Sequence, residues 1–231
     1  MYRYLFFDAD GTLFDFEQAE FQAFHLMAKE MGLSIQSKHF LQYKACNASC
    51  WKEFERGELT LEELKTKRFE RFCEATLFRL DPHDASQRYQ NHLARQGILF
   101  AHSKNILSSL TQRGYTLFIA TNGIADVQWG RFKQSGITHF FQDIFISEEL
   151  GYQKPDTRYF SAMLERTHLT DKKQQCLMIG DSLASDIQGA LDSGIDALWY
   201  NPHNLALPPH LKTTYTVNRL EEILGLLTNP I

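Results

Sequence analysis

The chain has 231 residues, 43% of them hydrophobic and 23% charged, with a formal net charge of −4. That length allows one sizeable core plus a small accessory domain, and the composition is that of an ordinary soluble globular protein. No basic run is present to follow a phosphate backbone, which argues against a nucleic-acid polymer as partner, and no apolar stretch approaches the ~20 residues of a membrane span.

Tyr2–Phe7 is an almost continuous apolar run and reads as a first strand. It shows no signal-peptide pattern, so the cytoplasm is the expected compartment. The strand ends in Asp8-Ala-Asp10-Gly-Thr12. From residue 16 to about 90, helical signals follow one another without a strand. Ala19, Ala23, Met27 and Met31 lie at helical spacing, with Gly32 behind them. Thr60-Leu-Glu-Glu63 has the form of a capping box, and Asp81-Pro82 can open a further helix. This segment is read as a small helical domain inserted after the first strand; a helical face of the main domain is the alternative.

Beyond residue 90 the pattern alternates. Ser103 is expected to cap a helix running toward Arg113, with Gly114 just past its end. Strands are expected over Thr116–Ala120, Ile144–Ile146, Leu177–Ile179 and Ala197–Tyr200, and Gly136 and Gly194 stand where two intervening helices should stop. Runs this apolar suggest strands buried on both faces, as in a parallel sheet, so the expected class is α/β, a Rossmann-like parallel sheet with an inserted helical cap. The expected division is 1–15 with 91–231 for the core and 16–90 for the cap.

Polar residues gather at the strand ends. After Asp8-Ala-Asp10 come Thr121-Asn122-Gly123, then Lys154-Pro155-Asp156, then Gly180-Asp181-Ser182 with Asp186 beyond. Each alone reads as an ordinary turn, helix cap or solvated loop. In an open parallel sheet, however, the carboxyl ends of the strands share one edge, where ligands bind. Four such clusters on one edge make a site. Asp8 and Asp181 offer hard carboxylate oxygens suited to Mg²⁺, and the backbone carbonyl of Asp10 can add another ligand. Asp8 can attack phosphorus, and Asp10 can protonate the leaving oxygen and then activate water. Thr121, Asn122 and Lys154 supply donors and positive charge for phosphoryl oxygens. Asp186 is expected to support the metal waters or Lys154.

The four cysteines form no zinc-like spacing and are read as reduced structural thiols, and the nine histidines are scattered. No G-x-G-x-x-G follows the first strand, which sets aside a dinucleotide oxidoreductase.

Taken in order, Asp-x-Asp-Gly-Thr, the Thr after strand two, Lys before Pro, and Gly-Asp-Ser-x-x-x-Asp resemble the haloacid-dehalogenase-like hydrolases. The resemblance spans Asp8 to Asp186. It implies a Rossmann-like core, Mg²⁺, an aspartate nucleophile and a helical cap closing over the site. Dehalogenases of the family lack the second aspartate, so Asp10 argues for phosphate over halide. Within the family the chain is similar to the pyrimidine 5′-nucleotidases. That similarity rests on Phe14, Tyr43-x-x-x-Asn47-x-x-x-Trp51, Gly57, Thr60, Arg68-Phe69 and Ile146-Ser-Glu-Glu-x-Gly151. It implies a nucleoside monophosphate substrate. Asn47 and Trp51 lie one helical turn apart, so both can face the cleft, Trp51 stacking on a base and Asn47 bonding its edge; packing of the cap by Trp51 is the alternative. A phosphatase for a sugar phosphate or phosphoglycolate, a phosphomutase and a silent binding protein remain as competing readings.

Overall fold

The computed structural model describes residues 1–227. Six strands form one sheet: β1 (Tyr4–Phe7), β2 (Thr116–Thr121), β3 (Phe141–Ile146), β4 (Cys176–Gly180), β5 (Asp196–Tyr200) and β6 (Tyr215–Val217). Every pairing is parallel, and the order across the sheet is β3-β2-β1-β4-β5-β6. The apolar runs produce this arrangement because both faces are covered: Phe6 and Phe7 point to opposite faces and both are fully buried. Phe6 stacks on Phe118 with ring centroids 4.7 Å apart.

Helices fill most of the connections between strands, the first five of them all lying between β1 and β2. They are α1 (Phe16–Glu30), α2 (Ser37–Glu55), α3 (Leu61–Thr76), α4 (Pro82–Leu93), α5 (Ser103–Gln112), α6 (Ala125–Ser135), α7 (Ser147–Leu150), α8 (Thr157–Arg166), α9 (Gly189–Asp192) and α10 (Ile223–Leu226). A π-helical turn over Leu183–Gln188 leads directly into α9. From β1 the chain steps to β2 and β3 on one side and then crosses to β4, β5 and β6 on the other. The direction of winding therefore reverses between β1 and β4, and the crevice at their carboxyl ends is where such a sheet places ligands.

The chain divides into two compact units. The first holds Met1–Phe16, Ile98–Ala125 and the chain from Ser135 onward, and carries the sheet. The second holds Glu17–Gly97 and Asp126–Gln134 and is helical. This helical unit runs further than residues 16–90. It takes in most of α6 because Gly130 lies against the backbone of Ala94, where a Cβ would come within 2.6 Å of the Ala94 carbonyl oxygen. Buried Arg131, also on α6, donates from Nε to the Gln96 carbonyl at 3.2 Å. Aromatic rings fill the centre of the unit, with Phe24 stacked on Tyr43 at 4.7 Å and Phe72 edge-on to Phe24 at 5.4 Å.

The expected caps form. Thr60 Oγ1 accepts from the Glu63 N–H, and Glu63 Oε2 accepts from the Thr60 N–H at 2.8 Å. Asp81 accepts from the His83 N–H with Pro82 at the first helical position. Ser103 is different: it is the first residue of α5 rather than its cap, and its buried hydroxyl donates to the Leu13 carbonyl at 2.8 Å. All four cysteines are free thiols. Among the described residues no helix is long and apolar enough to cross a membrane.

Candidate active site

The site grows from the strand ends of the first unit. The Asp8 N–H donates to the Ile179 carbonyl at 2.8 Å, so the β1–β4 ladder continues one residue past the strand and brings Asp8 to the reversal point. Three residues on, Gly11 has φ +84°, and a Cβ there would stand 2.5 Å from Asp181 Oδ2. Only glycine lets this turn lie so close to the second carboxylate. The buried Thr12 hydroxyl donates to Asp181 Oδ1 at 3.3 Å, and from β5 the indole N–H of Trp199 donates to the Asp181 carbonyl at 3.0 Å. Gly180 plays the same spatial part for Asp186, whose Oδ2 would meet a Cβ at 2.2 Å. The Ser182 N–H donates to that oxygen at 3.1 Å.

Lys154 ties these pieces together. Its side chain is 1% exposed, and Nζ donates to Asp8 Oδ1 at 2.7 Å, to the Ala120 carbonyl at 2.6 Å and to Asp186 Oδ1 at 2.5 Å. Three acceptors use all three protons of the ammonium. Asp8, Asp181 and Asp186 each offer a carboxylate oxygen within 4.8 Å of the others.

Two of the three clustered carboxylates thus bond one ammonium, and their electrostatics follow. Burial is the largest influence on Asp8 and raises it well above the usual carboxylate range. Lys154 pulls it down, while Asp186 and Asp181 push it further up. Asp181 is raised to about 7, first by burial and then by the charge of Asp186. For Lys154, burial favours the neutral amine, but the carboxylates of Asp186 and Asp8 outweigh it and hold the ammonium charged. The cluster is short of positive charge.

The structure brings the carboxylates of Asp8, Asp181 and Asp186 together and holds Lys154 against Asp8 and Asp186, with Asp10 half-buried two residues beyond Asp8. Thr121 is the last residue of β2, and its Oγ1 accepts from the Gly123 N–H at 3.2 Å. The Asn122 side chain is directed at the Lys154 backbone, where its amide makes two hydrogen bonds of 2.8 Å. Asn47 and Trp51 belong to the helical unit. Buried Asn47 donates to Glu20 Oε1 at 2.7 Å and accepts from Arg68 Nη1 at 3.2 Å. Trp51 is half-buried, edge-on to Phe54 at 5.6 Å, and packs on a cluster of Cys50, Phe54 and Leu64. Sequence reasoning missed Thr12, Trp199, Glu20 and Arg68 as partners of these residues. Two of them carried a signal, Thr12 as the last member of Asp-x-Asp-Gly-Thr and Arg68 in the Arg68-Phe69 pair of the nucleotidase-like pattern.

Residues 5–200 match the sequence model of the haloacid dehalogenase-like hydrolases. The chain belongs to that family. Among related hydrolases it is 38% identical over 230 residues to pyrimidine 5′-nucleotidase PynA of Streptococcus pneumoniae, covering 100% of this chain and 97% of the relative. It is 30% identical over 225 residues to pyrimidine 5′-nucleotidase YjjG of Escherichia coli, covering 97% of each. A crystal structure of the putative HAD-hydrolase YfnB of Bacillus subtilis, bound to magnesium, superposes with a TM-score of 0.91 at 34% identity, covering 97% of this chain and 98% of that one. The donor set in this chain suits a hard divalent cation: clustered carboxylate oxygens, no soft ligand, and a deficit of positive charge.

Proposed function

We propose that this hydrolase is a Mg²⁺-dependent phosphomonoesterase acting on pyrimidine nucleoside 5′-monophosphates through an aspartyl phosphate on Asp8. The observation that carries the mechanism is the setting of Asp8, with one oxygen held by buried Lys154 at 2.7 Å and the Asp181 and Asp186 carboxylates beside it. The two pyrimidine 5′-nucleotidases, related over nearly the full length of the chain, support the substrate class.

In this reading the Asp8 carboxylate attacks phosphorus, and the bond between phosphorus and the ester oxygen breaks. Asp10 gives its proton to the departing oxygen, which leaves as the nucleoside hydroxyl. Asp10, now a carboxylate, takes a proton from water as that water attacks the aspartyl phosphate. Inorganic phosphate leaves and Asp8 is restored. Asp8 and Asp181, with the Asp10 carbonyl, would hold the Mg²⁺, and the ion supplies charge that reduces repulsion between the carboxylate nucleophile and the anionic phosphoryl group. Lys154 keeps Asp8 oriented and contributes its positive charge, since its three protons are already engaged by protein oxygens. The Thr121 hydroxyl serves the phosphoryl oxygens. Asp186 anchors Lys154 at 2.5 Å.

The test is phosphate release, with and without Mg²⁺, from a panel of nucleoside monophosphates, sugar phosphates and phosphoglycolate. Mg²⁺-dependent release strongest on dUMP, dTMP or UMP is expected. Preference for a sugar phosphate would retain the Asp8 chemistry and overturn the nucleotide assignment. Release from none of them would overturn both.

A further inference from the structure

We propose that the side chain of Asn122 is a positioning group that acts through Lys154. The inference rests on the mechanism proposed above, in which Lys154 orients Asp8. Asn122 follows β2, while Lys154 lies in the loop between α7 and α8, outside any helix or strand. The Asn122 side-chain amide spans the gap: Nδ2–H donates to the Lys154 carbonyl at 2.8 Å, and Oδ1 accepts from the Lys154 N–H at 2.8 Å. The amide therefore satisfies both backbone groups of one residue, as a neighbouring strand would do.

The residue so held has a demanding task. The Lys154 side chain is 1% exposed and places its charge between Asp8 and Asp186, with bonds of 2.7 and 2.5 Å. A buried ammonium on a loop stays in register only where its backbone is tethered, because regular hydrogen-bond ladders give residue 154 no support. The next residue, Pro155, has no N–H to offer. The Asn122 oxygen is spent on the Lys154 N–H, and one of its two amide protons on the Lys154 carbonyl. What Asn122 determines is the position of the Lys154 backbone, and through it the direction in which Asp8 presents its second oxygen.

The experiment is a double-mutant cycle of Asn122→Ala and Lys154→Arg, read in kcat and KM on a small aryl phosphate. Displacing a catalytic group by about 1 Å can cost roughly 100-fold, so Asn122→Ala is expected to lower kcat by about 10–100-fold with little change in KM. In the Lys154→Arg background the same substitution should add almost nothing, because the group it positions is already displaced. Full additivity, or a loss in KM alone, would mean that Asn122 meets the substrate directly and would overturn the proposal. An unchanged kcat would overturn it as well. Urea unfolding of the same four proteins gives a second arm independent of turnover. The midpoint of the double variant should fall by less than the two single falls combined, and simple additivity there would contradict the tether. If the parent hydrolyses no phosphate ester, the proposed function fails while this second arm still decides the role of Asn122.

Discussion

Replacing Lys154 with Met removes the ammonium while keeping most of the stem, so the loss reports charge rather than a cavity. Lys154 is 1% exposed and is the cation bonded to both Asp8 and Asp186. Without it, three carboxylates with oxygens inside 4.8 Å face one another in a buried site. Removing one partner of a buried ion pair typically costs about 3–5 kcal/mol. For a protein of this size each kcal/mol lowers Tm by about 2–4 °C, so Lys154→Met should melt roughly 6–20 °C below the parent. The sign of the pH dependence follows from the carboxylates. Burial already holds Asp8 well above its ordinary range, and losing Lys154 removes the main influence pulling it down. The deficit in the variant should therefore be larger at pH 8, where the carboxylates are forced to ionise, than at pH 5. Mg²⁺ should restore part of the lost Tm, since a divalent ion meets the same need for positive charge. Thermal unfolding by circular dichroism at both pH values, with and without Mg²⁺, measures all of this. A Tm within about 2 °C of the parent at pH 8 without Mg²⁺ would refute the reasoning, because the penalty expected for an uncompensated buried charge would then be absent.

Further outcomes follow from other residues. Glu20, buried against Asn47, is raised from 4.5 to about 7 chiefly by burial, so its contribution to stability is present below about pH 4.5 and is lost as pH rises through about 7. Converting that shift gives about 3 kcal/mol, and Glu20→Gln should gain stability relative to the parent between pH 5 and pH 8; a difference independent of pH would count against it. Asp181→Ala should raise the Mg²⁺ concentration for half-maximal activity roughly 10–100-fold, and an unchanged titration would remove Asp181 from the metal site. Trp51→Ala should cost up to roughly tenfold more kcat/KM on pyrimidine nucleotides than on a small aryl phosphate, whereas equal losses would return Trp51 to packing.

How far the sequence discloses all this depends on where each residue sits in the sheet. β1, β2, β4 and β5 lie inside it, and their unbroken apolar runs are legible without a structure. β3 and β6 are edges. The first half of β3, Phe141-Gln142-Asp143, is partly exposed, so its polar residues hide that half and only the buried Ile144–Ile146 is legible. Tyr215–Val217 is too short and too exposed to announce β6. The site residues at strand ends are legible because the parallel sheet itself brings Asp8, Thr121 and Asp181 to one edge. Partnerships between distant loops are not. The clamp of Asn122 on Lys154 joins residues 32 apart, and Glu20, Asn47 and Arg68 meet across 27 and 21 residues. Periodicity carries no record of such pairs. The membership of α6 in the helical unit turns on the contact of Gly130 with Ala94, which no local pattern encodes.

The central claim is that Asp8 takes the phosphoryl group. The most direct measurement is mass spectrometry of peptides from the enzyme, quenched in acid during turnover of a pyrimidine nucleoside monophosphate with Mg²⁺. A phosphoryl adduct is expected on the peptide carrying Asp8, and in Asp8→Asn both the adduct and phosphate release should vanish. An adduct on another residue, or an Asp8→Asn protein that still releases phosphate at an appreciable fraction of the parent rate, would contradict it.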